Sequence, residues 1–356
     1  MKILVINPGS TSTKWAIYED RNLVWKASAQ HSAEELSKYA CINDQLPMRI
    51  EATLSALESA SIEPSSFDVV IARGGLFKPT PSGVYRIDDA MIADLRAPRL
   101  EHACNLGAMI ALDIAAQSSC PALIADPEVV DEFIPEARLT GVPGINRISV
   151  FHALNTKAVA RRYAREKGCR YEDLNLIMVH LGGGVSVGAH RKGEVIDVNN
   201  ALNGDGPFSP ERAGSVPADQ LVELCFSGQY DKRQIKRMLN GEGGLKAHLG
   251  TTDVKFIAEQ AQQGIEPYKG VLDAMLYGVA KNVCERAAAL CGKVDAIIIT
   301  GGIAYSDYCV KGISKWIDWI APIAIYAGED ELDSLAFNAF EAISGNLPIQ
   351  DYTPEA

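Results

Sequence analysis

Residues 176–198 read Leu176-Ile-Met-Val-His-Leu-Gly-Gly-Gly-Val-Ser-Val-Gly-Ala-His-Arg-Lys-Gly-Glu-Val-Ile-Asp-Val198. Leu176 to Val179 is a short apolar run of the kind a buried strand needs, and Gly182-Gly183-Gly184 turns the chain. Val185 to Ala189 runs back, Arg191-Lys192-Gly193 turns again, and Glu194 to Val198 makes a third strand. The same plan stands at the N-terminus. Lys2 to Ile6 is apolar and largely β-branched, Pro8 to Ser12 is a turn, Lys14 to Tyr18 returns, and Asp20-Arg21-Asn22 leads into Leu23-Val24-Trp25. One architectural unit used twice, about 175 residues apart, predicts a duplicated two-domain protein.

Outward from these units, helix and strand patterns alternate. Glu101 to Gln117 reads as a helix and Ala122 to Asp126 as the strand after it. Leu272, Met275, Val279, Val283, Ala287 and Leu290 fall on one helix face, and Gly292 ends that helix. Val294 to Ile299 is a buried strand running into Gly301-Gly302, and a last helix from Asp333 to Ser344 stops at Gly345. The fold class is α/β. No low-complexity linker marks the passage between domains, which falls between Pro127 and Tyr171.

The bulk composition narrows the partners. At 356 residues the chain has room for two cores, with 47% hydrophobic and 22% charged residues. Its longest apolar run, near Ile320 to Ala327, is too short to cross a membrane. Ile3 to Ile6 is too short for a signal-peptide core, so a cytoplasmic location is expected. Eight cysteines show no Cys-x-x-Cys pair and no histidine at ligand spacing, as expected for reduced, packed thiols. The net charge of −11 speaks against nucleic acid, and the densest basic cluster, Arg161-Arg162 with Arg165 and Lys167, reads as the wet face of a helix. An anionic ligand would need a local cradle of donors.

Three stretches offer one. Asn7-Pro-Gly-Ser-Thr-Ser-Thr-Lys14 is a tight Ser/Thr turn whose N–H groups and hydroxyls can converge on a phosphate, with Lys14 adding charge. By itself it reads first as an ordinary hairpin turn. His180-Leu-Gly-Gly-Gly-Val-Ser186 lets backbone approach a ligand closely just after a buried strand. Thr300-Gly301-Gly302-Ile303-Ala304 sits at the C-terminal end of a strand, where α/β sheets bind ligands, or is a plain strand-to-helix turn. Neither a Walker loop nor a Gly-x-Gly-x-x-Gly fingerprint occurs.

The order of the three resembles the superfamily of acetate and sugar kinases, heat-shock chaperones and actin. Ile3-Leu-Val-Ile-Asn-Pro-Gly-Ser-Thr-Ser-Thr-Lys14 and Val179-His-Leu-Gly-Gly-Gly-Val-Ser-Val-Gly-Ala189 look like the two signature segments of the acetate kinase family. The length, Arg73-Gly-Gly-Leu76 and Val150-Phe-His-Ala-Leu154 are most similar to its butyrate kinase branch. The resemblance runs from Ile3 to about Gly345. It implies two duplicated ribonuclease H-like (actin-like ATPase) domains, residues 1–145 with 333–356 and residues 146–332, flanking a nucleotide cleft. It further implies ATP/ADP and Mg²⁺, a small carboxylate substrate, no nucleic acid or membrane, and a homodimer or higher homo-oligomer.

Site roles carry over position by position. The resemblance gives Asn7, Ser10, Ser12 and Lys14 the phosphate and the metal-linked oxygens. It gives His180, Leu181, Gly182, Gly183 and Gly184 the nucleotide phosphates, and Gly301, Gly302 and Ile303 the adenosine. Asp253 falls near a nucleotide-contacting stretch. Asp126 matches the catalytic aspartate, though the family's Phe-Asp-Thr-Ala-Phe-His is here Ala125-Asp-Pro-Glu-Val129; Glu128 and Asp131 are alternatives. A helix N-cap before Pro127 is a further role open to Asp126. His152 matches a histidine near the transferring phosphoryl group, and Arg212 an arginine that neutralises the transition state. Arg73 is expected to meet the carboxylate, with Arg86 as fallback. Glu331 matches a magnesium-linked glutamate, with Glu329 as its alternative. Pro207, Phe208 and Val150 are candidate walls for an acyl chain. The rivals are kinases for acetate, propionate or isobutyrate, an actin-like ATPase clamp, and a sugar-kinase-like regulator that here lacks a helix-turn-helix.

Overall fold

The aliphatic runs of the sequence become strands buried on both faces, which is why they do not alternate with polar residues. The computed structural model describes residues 1–98, 101–202 and 204–353, so the last three residues of the expected C-terminal segment lie outside it. In chain order the strands are β1 (Lys2–Pro8), β2 (Ser12–Glu19), β3 (Asn22–Gln30), β4 (Val69–Arg73), β5 (Val84–Arg86) and β6 (Ala122–Ala125). They continue as β7 (Asn175–Leu181), β8 (Val185–Arg191), β9 (Glu194–Val198), β10 (Ala296–Gly301), β11 (Ile323–Ala327) and β12 (Ile349–Gln350). The chain forms two compact units, Met1–Asp131 with Asp330–Ala356, and Glu132–Glu329.

In the first unit the sheet order is β12-β5-β6-β4-β1-β2-β3. β1, β2 and β3 are an antiparallel meander, and β4 and β6 add on in parallel. Pairing of Asn7 with Lys14 and Pro8 with Thr13 leaves Gly9 to Thr11 at the hairpin tip. The second unit repeats the plan as β11-β10-β7-β8-β9, with β7 to β9 antiparallel and β10 and β11 parallel to β7. The duplication visible in the sequence is therefore a duplication of topology.

Period two decides which helix each side chain of β7 meets. Ile177, Val179 and Leu181 pack with Leu272, Met275, Val279 and Val283 from the helix Tyr268–Ala289. Leu176 and Met178 turn the other way, onto Ala160, Tyr163 and Ala164 of the helix Ala153–Glu166. Arg162, Arg165 and Lys167 lie on the exposed side of that second helix, as its sequence pattern predicts.

Two local readings change. The helix expected from Glu101 begins at Asn105, and its Gly107 lies against the Arg73 carbonyl, where a Cβ would clash. Asp126 caps no helix; it follows β6 with φ of 39°, a left-handed backbone that a non-glycine residue rarely adopts. No helix among the described residues is long and apolar enough to cross a membrane.

Candidate active site

Burial of charge organises the first unit's cluster. Asn7, at the end of β1, donates from Nδ2 to Glu331 Oε2 at 2.7 Å, and both residues are buried. Arg73, at the end of β4, reaches the same Oε2 from Nη1 at 3.3 Å and pairs through Nε with Glu128. Burial works against the Arg73 charge, but Glu331 and then Glu128 more than offset it, so the guanidinium titrates above the usual arginine range. Burial pushes the Glu128 carboxyl up, against the pull of Arg73. Two carboxylates on one guanidinium leave a surplus of negative charge. Glu331 keeps Oε1 and Asn7 keeps Oδ1, both hard oxygen donors of the kind magnesium prefers.

Asp126 is buried nearby in the chain, and its Oδ1 accepts from Ser82 Oγ at 2.5 Å and from Gly83 N at 3.0 Å. The loop between β5 and the preceding turn thus fixes the carboxylate. Ser10 lies exposed at the hairpin tip and Ser12 opens β2, while Lys14 is exposed on β2. Arg86 is exposed on β5, and Asp131 donates its N–H to the Thr80 carbonyl at 2.9 Å.

In the second unit two imidazoles stack. His152, just before the helix Ala153–Glu166, lies parallel to His180 with ring centroids 3.9 Å apart. His152 Nδ1 shares a hydrogen with Ser186 Oγ at 2.7 Å. His180, fully buried, has Nδ1 2.8 Å from Asn155 Oδ1, which also accepts from Thr300 Oγ1 at 3.3 Å. A carbonyl oxygen only accepts, so Nδ1 of His180 carries a proton. Its Nε2 faces Glu329 Oε1 at 3.3 Å. The two alternatives for the acidic role therefore belong to different units, Glu331 beside Asn7 and Glu329 beside His180.

Arg212 explains one glycine of the hairpin. Its Nη1 donates to the Ala201 carbonyl, and a Cβ on Gly184 would overlap that same nitrogen. Only glycine lets the guanidinium lie against the turn. Ser209 holds the turn from behind, donating from Oγ to the Gly183 carbonyl at 2.6 Å. Beside Arg212 is a cavity of ≈ 290 Å³ with Val185, Pro207, Val216, Leu221 and Leu239 in its wall. Phe208 instead packs toward the core and His248, and Val150 is buried.

A larger cavity of ≈ 850 Å³ is lined by Gly182, Gly183, Asp253, Gly302, Ile303 and Tyr305. That volume lies in the range of small-molecule sites, about 300–1,000 Å³. Gly301 has φ of 91° and sits against the Leu181 backbone, so the turn into this cavity requires glycine. Asp253 uses Oδ1 to cap the helix Val254–Gln262 by accepting from Phe256 N at 3.0 Å. Among the described residues no group of three or more His, Cys, Asp or Glu side chains is arranged to hold a metal ion. A magnesium site of one or two carboxylates completed by water and phosphate needs no such group.

Sequence reasoning missed Arg49, Asn155 and Ser209, which touch the candidate residues from behind. Nothing in their sequence spacing marks them, because each reaches its partner only through the tertiary fold.

The sequence profile of the acetokinase family matches residues 137–315. A probable butyrate kinase of Phocaeicola vulgatus is 62% identical over 355 residues, covering 100% of both chains. Butyrate kinase 1 of Clostridium acetobutylicum is 47% identical, covering 99% of each. The crystal structure of Porphyromonas gingivalis acetate kinase shares the fold, with a TM-score of 0.78 at 18% identity, covering 96% of this chain and 99% of that one. With a matching profile and full-length relatives at such identity, the chain belongs to the acetokinase family.

Proposed function

We propose that the protein transfers the γ-phosphoryl group of ATP to butyrate, giving butyryl phosphate and ADP, and that the reaction runs in both directions. The observation that carries this is 62% identity along the whole chain to a probable butyrate kinase. The larger cavity, with its glycine turns, suits a nucleotide. The cavity beside Arg212 offers an apolar wall to a short acyl chain.

A carboxylate oxygen of the acid forms a bond to the γ-phosphorus as the bond to the ADP oxygen breaks, and ADP leaves with the electron pair. A fatty acid has a pKa of roughly 4 to 5, like side-chain carboxyls, so it is already an anion and needs no general base. The barrier is the meeting of anions. Positioned cations and donors lower it more than proton transfer does. Arg212 neutralises the developing charge, and His152 and the N–H groups of Gly183 and Gly184 hold phosphate oxygens, while the Gly182 N–H closes the turn onto the Gly184 carbonyl at 3.0 Å. His180 supports His152 by stacking and by its fixed tautomer. Arg73, with Nη2 not used by the two glutamates, offers that edge to the acid's carboxylate.

Magnesium would be held by Glu331 and Asn7, and when bound it supplies charge neutralisation to the phosphates. Asp126, fixed by Ser82 and Gly83, orders water and substrate around it rather than acting as a base. Asp126→Asn can keep an oxygen for Ser82 and Gly83 while it removes the charge and turns the second oxygen into an NH2 donor. Its apparent Mg²⁺ requirement should rise several-fold, measured by kinetic titration of the metal. Lost turnover at an unchanged metal dependence would show that Asp126 has another task.

The activity itself is read with ATP, Mg²⁺ and hydroxylamine, using straight and branched acids of two to five carbons. Hydroxylamine traps the acyl phosphate as a hydroxamate. Butyrate should give the highest kcat/KM, with each methylene step from the optimum worth about 1–3 kcal/mol. A different optimum would reassign the acid; no hydroxamate from any acid would remove the kinase reading.

A further inference from the structure

Behind the Gly9–Thr11 loop lies a charge that the functional reading leaves without a task. Arg49, in the helix Leu46–Ser59, is fully buried. Its Nε and Nη2 donate to Gln45 Oε1 at 3.2 and 3.1 Å. The rest of the guanidinium is given to the loop. Nη1 donates to the carbonyls of Gly9 (3.0 Å) and Ser12 (3.3 Å) and to Thr13 Oγ1 (3.2 Å), and Nη2 to the Ser10 carbonyl (3.3 Å).

Every one of these acceptors is neutral. Glu35 acts on Arg49 only at a distance and lies against His31 Nδ1 at 3.7 Å; His31 itself bonds Thr13 Oγ1 through Nε2 at 2.9 Å. Burial lowers the Arg49 pKa below the usual arginine range, and Glu35 offsets this only in part. An arginine nonetheless stays protonated in proteins. A buried cation satisfied by dipoles alone is costly, and the cost is offset when an anion arrives close by.

The loop's own geometry says where that anion sits. In a planar trans peptide the C=O and N–H point in opposite directions. With the Gly9 and Ser10 carbonyls on Arg49, the N–H groups of Ser10 and Thr11 point away from it. Neither donates to a described residue, and both residues are exposed. Two free backbone donors on one side and an uncompensated cation on the other make an anion cradle.

We propose that Arg49 is the positioning residue of this loop, turning its N–H groups outward and supplying the positive charge that draws a phosphoryl group to it without touching that group. The inference rests on the butyrate kinase reading only for the identity of the anion.

Arg49→Gln and Arg49→Lys test it in the direction that consumes butyryl phosphate. With Arg49→Gln the KM for butyryl phosphate should rise about tenfold or more while the KM for ADP stays put; Arg49→Lys should recover most of the loss near neutral pH. The introduced amine is buried without a carboxylate, so its pKa falls. In Arg49→Lys the butyryl phosphate KM should therefore climb between about pH 6 and 9, where the wild type stays flat. This second readout stands even if the glutamine variant does not fold. A brace with no electrostatic role would leave both variants equally impaired at every pH, and that result overturns the proposal. If the wild type forms no acyl phosphate at all, the functional reading fails separately. Inorganic phosphate, titrated with ADP present and read as a rise in melting temperature, then decides for Arg49. It should stabilise wild type and Arg49→Lys but not Arg49→Gln; equal stabilisation of all three sinks the idea.

Discussion

Arg212→Ala should lower kcat by about three or more powers of ten, the scale of an arginine that neutralises a transferring phosphoryl group. That is about 4 kcal/mol of transition-state stabilisation. The backbone around Arg212 does not depend on its side chain. Ser209 N donates to the Arg212 carbonyl at 3.0 Å, and Ala213 N to the Leu239 carbonyl at 3.0 Å. Losing the side chain gives up, among its contacts, the hydrogen bond to the Ala201 carbonyl, and a bond from a charged donor contributes about 1.5–3 kcal/mol of stability. The fall in turnover should therefore exceed what the fall in stability accounts for, with the KM for ATP changing little. Arg212→Lys restores the charge but not the planar fork and should recover only part of the rate. Steady-state kinetics and a melting curve on the same samples check this. A loss under tenfold would mean that the guanidinium against Gly184 does not meet the reacting group.

The legible part of this protein is the part written locally. The two hairpins, their turns and the Gly301-Gly302 bend follow from apolar runs interrupted by glycine, and their repetition gave the duplicated topology. Why Gly184 must be glycine was not legible, because Arg212 approaches it from 28 residues further along the chain. Asp126 shows the same limit. A strand end followed by proline suggests a helix cap, yet Ser82 and Gly83 hold the carboxylate and the backbone turns left-handed. Arg73 is expected from the sequence to meet the carboxylate, but that Glu128 and Glu331 share its guanidinium was not legible. Charges in the interior choose partners by proximity in space, and one sequence does not print those distances. The passage between units, after Asp131, is equally silent in composition.

Lys157→Met should destabilise the second unit by about 3–5 kcal/mol, the cost of breaking a buried ion pair by removing one member. Lys157 is 1% exposed, and its Nζ donates to both oxygens of Glu132 (3.1 and 2.9 Å) and to the Gly193 carbonyl (3.0 Å). Glu132 Oε2 also accepts from Val195 N at 2.7 Å. One ion pair thus ties the first residue of the unit, the helix Ala153–Glu166 and the start of β9. Methionine keeps the stem's volume, so the loss measures the counter-charge taken from Glu132 rather than a cavity. For a domain of this size the melting temperature should fall by roughly 6–20 °C. Adding Glu132→Gln removes the carboxylate charge that Lys157 balanced and keeps an oxygen for Val195 N, so the double variant should regain much of the stability. Failure of that rescue would locate the cost in the lost Gly193 contact instead. The same helix carries Asn155, and His152 stands at its start. The pair that anchors the helix therefore also supports His152 and the Asn155 contact to His180, and the single variant should lose turnover before it loses its fold.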